Sequence, residues 1–489
     1  MRTLISVTRS EVELRPDARR VLTLPFVPGR ELQLDQESRA GSVLDRLLAL
    51  SDDDVDATLP DVLARYGRRH RDLPSTLQAD FDLIAHRIPA GTVISAARRQ
   101  LLGAFFTHEF SIEGAALFNP SVVTHPDQTG VADGACRFVL SLRAVGEGHL
   151  SCIELRTGTL EADGRVTIDD PGRWVEAGSL HPTTLDRDLF AAKLKDLGPN
   201  PESTRFLLAA LPTHFDEAEL EQALATLDSQ RVTRRGGYRL AELARRIAQS
   251  FYEIDFPAET TIAERVLWPR GPEETRGMED ARFVRFTDDD GSVSYRATYT
   301  AFDGSSVAPQ AIETADFRRF RISPLAGPAA RNKGMALFPR RVDGRMLALS
   351  RWDRESNYLA SSADGRSWDD AGPLQRPHHT WDLMQSGNCG SPLETEAGWL
   401  VLTHGVGAMR EYAIGALLLD LDDPRRVIGE LHEPLLHPRD DEREGYVPNV
   451  VYSCGALING DTMLLPYGAS DDRVRFCTVD VPSLLAQLS

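Results

Sequence analysis

No stretch of the 489-residue chain approaches the roughly 18 to 20 continuous apolar residues that a membrane-spanning helix needs, so no membrane segment is expected. The opening residues MRTLISVTRSEVELRP hold a short apolar patch and no small-residue cleavage site, so no signal peptide is expected. Cysteine is scarce and scattered: Cys136, Cys152, Cys389, Cys454 and Cys477 show no CxxC spacing. That pattern fits reduced thiols in a cytoplasm better than a disulfide framework or a zinc site. The 12 histidines show no HxxxH-type pairing, and the adjacent His378-His379 reads as a loop feature, so no metal is expected. An excess of basic residues is also missing. The net charge is −18, which argues against nucleic acid as a partner. Residues 1–100 contain no Lys, and their 15 Arg balance 15 Asp and Glu, so the whole negative excess lies in residues 101–489. An anionic substrate would be repelled at long range by that larger part and could bind only where a few cationic side chains gather.

What is present divides into three patterns. Residues 1 to about 105 are mixed, with a strand-like alternation in VELRPDARRVLTLPF and a helical pattern after Ser51, a capping-type residue followed by acids. A second helical tract runs from about 185 to 256. There Asp216 and Glu219 are spaced as a capping box, and Leu220, Leu224 and Leu227 make one apolar face. Leu240, Leu243, Ile247 and Phe251 make another. The remainder consists of short apolar or alternating runs punctuated by Gly, Asp, Asn and Pro, with no βαβ rhythm. This predicts an all-β sandwich, barrel or propeller, among which periodicity does not choose.

Within the strand-rich part, several stretches are too polar for their surroundings. RGMEDARFVRF (276–286) places Glu279 and Asp280 between Arg276 and Arg282 at the start of a strand. LFNPSVV (117–123), NKGMALFPRR (332–341), ALSRWDRESN (348–357), GNCGSPLETEAGWLVLTHGVG (387–407), YVPNVVYSCG (446–455) and PYGASD (466–471) likewise put polar side chains beside Gly or Pro at strand ends. Singly, each has an ordinary structural reading: a salt-bridged turn, a surface lysine at Lys333, a strand-end histidine at His404, a turn-capping acid at Asp471.

In this order, RGMEDARFV, NKGMALFPRR, the run from GWLVLTHGV to YAIGALLLDLDDP, YVPNVVYSCG and PYGASD closely resemble glycoside hydrolase family 130, the β-mannoside phosphorylases and mannosidases. The match covers about residues 110 to 489, interrupted by the helical tract. The resemblance implies a five-bladed β-propeller over 106–489, with a helical insertion at about 185–256 and an N-terminal extension over 1–105. That extra length resembles the branch acting on β-1,2-linked mannose oligomers. It implies Asp280 as general acid of an inverting reaction. In the phosphorylases the proton is thought to pass through a hydroxyl of the donor mannose to the glycosidic oxygen. An acid poised to donate near neutrality needs a raised pKa, and like-charge repulsion from Glu279 would raise that of Asp280, with Arg282 acting the other way.

By the same resemblance, Lys333, Arg351, His404 and Tyr412 fall on phosphate-binding positions, and Asn119, Arg143, Arg282 and Asp471 on the sugar-binding side. The implied substrates are a manno-oligosaccharide and inorganic phosphate, with α-mannose 1-phosphate as product, no other cofactor and no metal. One position departs: Gln385 stands where the phosphorylases commonly carry Lys, with Arg410 nearby as a substitute charge. Two other readings stay open. An inverting β-mannosidase needs a second carboxylate roughly 6.5–9.5 Å from the first, for which Glu394, Glu396 and Glu411 are candidates. A non-catalytic carbohydrate-binding propeller needs neither the acid nor the cations. Trp352, Trp381 and Trp399 are candidate sugar-stacking platforms, and a homo-oligomer is left open.

Overall fold

The computed structural model describes residues 5–28, 39–89, 91–229 and 237–488. The chain forms two compact units, one of residues 1–16, 115–171 and 177–489, the other of residues 17–114 and 172–176. The first sixteen residues therefore group with the larger unit rather than with the rest of the expected N-terminal extension. Among the described residues no helix is long and apolar enough to cross a membrane. The chain is mostly β, with helices in the N-terminal region and the insertion, as expected.

The smaller unit packs the helices Arg39–Leu48, Asp52–Tyr66, Leu73–Ile84 and Ala96–Phe105 with a two-stranded ribbon, Val21–Pro25 against Thr107–Ser111. Ser51 caps the second helix through a reciprocal box with Asp54, satisfying amide groups that have no intrahelical acceptor. Leu44, Leu47, Phe81, Ile84, Leu102 and Phe106 meet in its core.

The larger unit contains five antiparallel strand groups. The first is Ala116–Thr124, Cys136–Val145 and Ser151–Leu160, with Val166–Ile168 on its edge. The second runs through Gly277–Thr287, Val293–Phe302, Val307–Thr314 and Arg319–Pro324, and one parallel contact, Gly277 with Ser151, links it to the first. The third is Ala336–Leu337, Met346–Ser350, Asn357–Ser362 and Asp369–Gln375. The fourth is Gln385–Asn388, Gly398–Val406, Tyr412–Leu419 and Val427–Glu430. In the fifth, Val451–Tyr452, Thr462–Ala469 and Arg473–Asp480 are completed by the N-terminal strand Val7–Leu14, which pairs with the last strand of the chain.

Apolar clusters join neighbouring groups. Ile153 and Leu155 pack with Phe283 and Ala297, Phe286 with Leu337 and Met346, Leu349 with Trp399 and Leu417, and Leu402 and Ile414 with Met463 and Leu465. The fifth group returns to the first, the Cys454 amide donating to the Pro120 carbonyl at 2.8 Å. Layers on both sides explain why Gly398–Val406 is buried at every position and does not alternate. The helical tract comprises Arg187–Leu197, Pro201–Ala210, Glu217–Ser229 and Gly237–Ala248. Its leucine stripes close on themselves around Phe190, Leu220, Leu224, Leu240 and Ile247, and Asp216 and Glu219 form the expected reciprocal cap.

Candidate active site

Two interruptions in strand pairing bring the acid pair into reach of the first strand group. The register of Gly277–Thr287 shifts between Glu279 and Arg282, and Asp280 sits there at φ 56°. The register of Ala116–Thr124 shifts in the same way between Phe118 and Ser121, with Asn119 at φ 50°. Such bulges re-aim side chains beside sites, and Asn and Asp tolerate the left-handed conformation better than bulkier residues. Asn119 Nδ2 donates to Asp280 Oδ1 at 2.7 Å. Asp471, at φ 49° beyond the strand Thr462–Ala469, is a third residue in this conformation, and the charges of Asp280, Arg143 and Arg410 act on it.

Arg143 is the shared counter-ion. Its guanidinium donates to Glu279 Oε1 at 2.7 Å and to Asp280 Oδ1 at 3.4 Å, and its charge also acts on Asp471. The second Glu279 oxygen accepts from Lys333 Nζ at 2.5 Å. Burial alone would raise the Asp280 pKa. It is outweighed by Arg143, Lys333, the Asn119 hydrogen bond and Arg282, so the carboxyl is held below the ordinary range. The expected rise from Glu279 does not occur, because two cations already neutralise that side chain. The raised acid is Asp471, pushed up to about 7 by burial and by the charge of Asp280, with Arg143 and Arg410 offsetting part of the effect.

Beside this acidic half lies a cationic one. Arg282 donates to the Tyr452 hydroxyl at 2.6 Å, and Arg351 NH1 lies 3.3 Å from His404 Nε2. His404 Nδ1 is 3.1 Å from the Asn388 carbonyl, which can only accept, so Nδ1 carries the proton and Nε2 the lone pair. Burial, then Arg351 and Arg282, hold the imidazole neutral, its pKa well below the usual value. Its ring is stacked beside Tyr412 at 6.0 Å and edge-on to Tyr452 at 4.9 Å. A Cβ on Gly387 would fall 2.4 Å from His404 Cε1 and 3.2 Å from Arg351 Cδ, so no larger residue leaves this pair in place. The Nε–H groups of Arg282 and Arg351 are buried without an acceptor among the described residues. Two desolvated Nε–H donors without an acceptor are suited to an anion.

The structure brings Asn119, Arg143, Glu279, Asp280 and Lys333 into one network, and Arg282, Arg351, His404 and Tyr412 into the adjoining one. Lys333, expected on phosphate, pairs with Glu279, and the next residue, Gly334, lies against both Arg282 and Arg351. Gln385, the departing position, is in the site, its Nε2 at 3.3 Å from His404 Nε2. The candidate bases stay out of both networks. Glu394 is exposed and paired with Arg340, Glu396 is exposed, and Glu411 pairs with Arg443 at 2.7 Å. Trp399 is fully buried against Phe338 and is no sugar platform, whereas Trp352 is 37% exposed. Sequence reading missed Tyr452 and Asn388. Only their place beside the quoted glycines could have flagged them.

The sequence profile of glycoside hydrolase family 130, described as β-1,4-mannooligosaccharide phosphorylase, matches residues 245–488. A β-1,2-mannobiose phosphorylase of Listeria innocua is 34% identical over 230 residues, covering 45% of this chain and 63% of that protein, so the matched stretch spans less than two thirds of it. A 1,2-β-oligomannan phosphorylase of Thermoanaerobacter sp. is 32% identical over 243 residues, 48% of this chain and 76% of that one. Among solved structures, the Listeria innocua β-1,2-mannobiose phosphorylase in complex with β-1,2-mannobiose superposes with a TM-score of 0.46 at 24% identity, over 78% of this chain and 93% of that one.

Proposed function

Because the chain belongs to glycoside hydrolase family 130, we propose that it cleaves β-mannosides with inorganic phosphate, inverting the anomeric carbon to give α-mannose 1-phosphate. β-1,2-Linked manno-oligosaccharides are the proposed donors, the linkage named for the relatives at 34% and 32% identity. The five strand groups, joined in cyclic order, are read as the blades of a five-bladed propeller whose loops meet at this site. Five buried free cysteines fit a reducing, cytoplasmic setting.

One observation carries the reading: the buried, unsatisfied donors of Arg282 and Arg351 beside neutral His404, next to an acid network centred on Asp280. Phosphate needs no base to become a nucleophile, but it must be held against the acidic field of the protein, and paired guanidinium groups do this. Among the described residues no carboxylate joins the cationic half, so water has no evident activator there. That favours phosphorolysis over the mannosidase reading.

Asp280 is the proposed proton donor to the glycosidic oxygen, through the donor mannose. The acid must first hold a proton, and in the empty site its surroundings favour the ionised form. Entry of anionic phosphate offsets the cations Arg282 and Arg351 and displaces water, and both changes raise the Asp280 pKa. Replacing Arg351 by Ala should raise the Michaelis constant for phosphate far more than that for the mannoside. Equal changes in both constants would remove Arg351 from the phosphate site.

A further inference from the structure

A second polar cluster lies outside this site, on the fourth strand group. The segment 376–384 connects Asp369–Gln375 to Gln385–Asn388. It is folded by Asp382, whose Oδ1 accepts from the amides of His378 at 2.8 Å and His379 at 2.7 Å. Both imidazoles are thereby turned towards Glu430 on the strand Val427–Glu430. His378 Nε2 lies 3.4 Å from Glu430 Oε2, and His379 Nε2 lies 3.4 Å from Glu430 Oε1. The ligand atoms of all three residues fall within 4.8 Å of one another.

The tautomer is informative. His378 Nδ1 is 2.8 Å from the Arg376 carbonyl and must donate to it, so in the neutral ring Nε2 presents a lone pair to a carboxylate. His379 Nε2 is buried with no hydrogen-bond partner among the described residues while facing the other oxygen of the same carboxylate. The His378 lone pair aimed at this anion is repelled unless a cation or a proton stands between them. A ring N–H given to a main-chain carbonyl is also how metal-bound histidines are usually oriented. Glu430 is oriented too, accepting from Gln375 Nε2 at 2.8 Å. With metal–ligand bonds of about 2.0–2.1 Å, neighbouring ligand atoms of a tetrahedral ion are about 3.3–3.4 Å apart, and each histidine Nε2 lies at that distance from one of the two Glu430 oxygens.

We propose that His378, His379 and Glu430 bind a divalent transition-metal ion, Zn²⁺ or a neighbour such as Co²⁺ or Ni²⁺, which ties the segment 376–384 to the strand Val427–Glu430. Two imidazoles and one carboxylate suit such ions rather than Mg²⁺ or Ca²⁺. The tie has a mechanical consequence. Trp381 stacks parallel to the His379 ring at 5.8 Å and donates to the His432 carbonyl at 3.0 Å. Its indole covers Gly405, where a Cβ would come within 2.4 Å of the ring. A metal ion would therefore clamp Trp381 over the strand that carries His404.

The test uses untagged full-length protein freed of metal by a chelator. Titration with Co²⁺ should give a visible absorption band that saturates at about one equivalent and is displaced by Zn²⁺. Zn²⁺ should also slow amide exchange across 376–384. His378→Ala alters a half-exposed side chain, which spares the fold, and should weaken Zn²⁺ binding by at least about tenfold, with His379→Ala and Glu430→Gln doing the same. Wild-type protein that takes up neither ion would overturn the proposal in favour of protonated histidines paired with Glu430. So would unchanged affinity in His378→Ala.

Discussion

Asp471→Asn offers a test of the electrostatics that needs no substrate. The wild-type carboxyl is partly buried and pushed up to about 7 from an ordinary 3.8. Between those two values the folded protein holds a proton that the unfolded chain has already lost. Stability therefore falls as pH rises from about 4 through 7, and the full penalty is present above 7. At about 1.36 kcal/mol per pKa unit, a rise of roughly three units amounts to about 4 kcal/mol at pH 8. Asparagine is close in shape to neutral Asp and never ionises, so the variant does not carry this penalty. Thermal or urea unfolding midpoints of the two proteins should coincide near pH 4 and separate progressively to pH 8, with the variant the more stable. A wild-type protein that keeps pace with the variant across this range would refute the reasoning, and so would an advantage that is the same at every pH.

Asp280→Asn should lower turnover on a β-mannoside by about 10²-fold or more in protein that remains folded; near-normal turnover would exclude Asp280 as the acid. Lys333→Ala frees one Glu279 oxygen and removes a cation acting on Asp280, so the alkaline limb of the pH–rate profile, where the acid loses its proton, should move to higher pH; an unmoved limb would mean that Lys333 does not set this charge balance. Ser51→Ala removes a reciprocal helix cap and should cost about 1 kcal/mol of stability with no change in activity, as read from urea midpoints.

Much of the local structure was legible because it follows from short-range rules. The Ser51 and Asp216 caps and the leucine stripes of the helical tract depend on spacings of three and four residues, and they form as the spacing predicts. The motif stretches were legible as polar residues beside Gly and Pro, and Asn119, Arg143, Asp280, Arg351 and His404 do meet. The electrostatics were not. Glu279 adjoins Asp280 in sequence and was expected to raise its pKa. Arg143 and Lys333, far away along the chain, neutralise it instead, and the raised acid is Asp471. Such charges follow from which strands pack together, which periodicity does not encode. The His378-His379 pair, read as a loop feature, gains meaning only when Glu430 is brought in from a strand some fifty residues later. The N-terminal strand was likewise invisible as part of the last sheet, because pairing with Arg473–Asp480 closes across almost the whole chain.

The central claim is that phosphate, not water, is the nucleophile. The measurement that tests it most directly incubates pure protein with β-1,2-mannobiose, with and without inorganic phosphate, and follows both products. The account predicts mannose 1-phosphate of α configuration and equimolar mannose with phosphate, and negligible cleavage without it. Free mannose released equally fast in the absence of phosphate, with no mannose 1-phosphate in its presence, would contradict it.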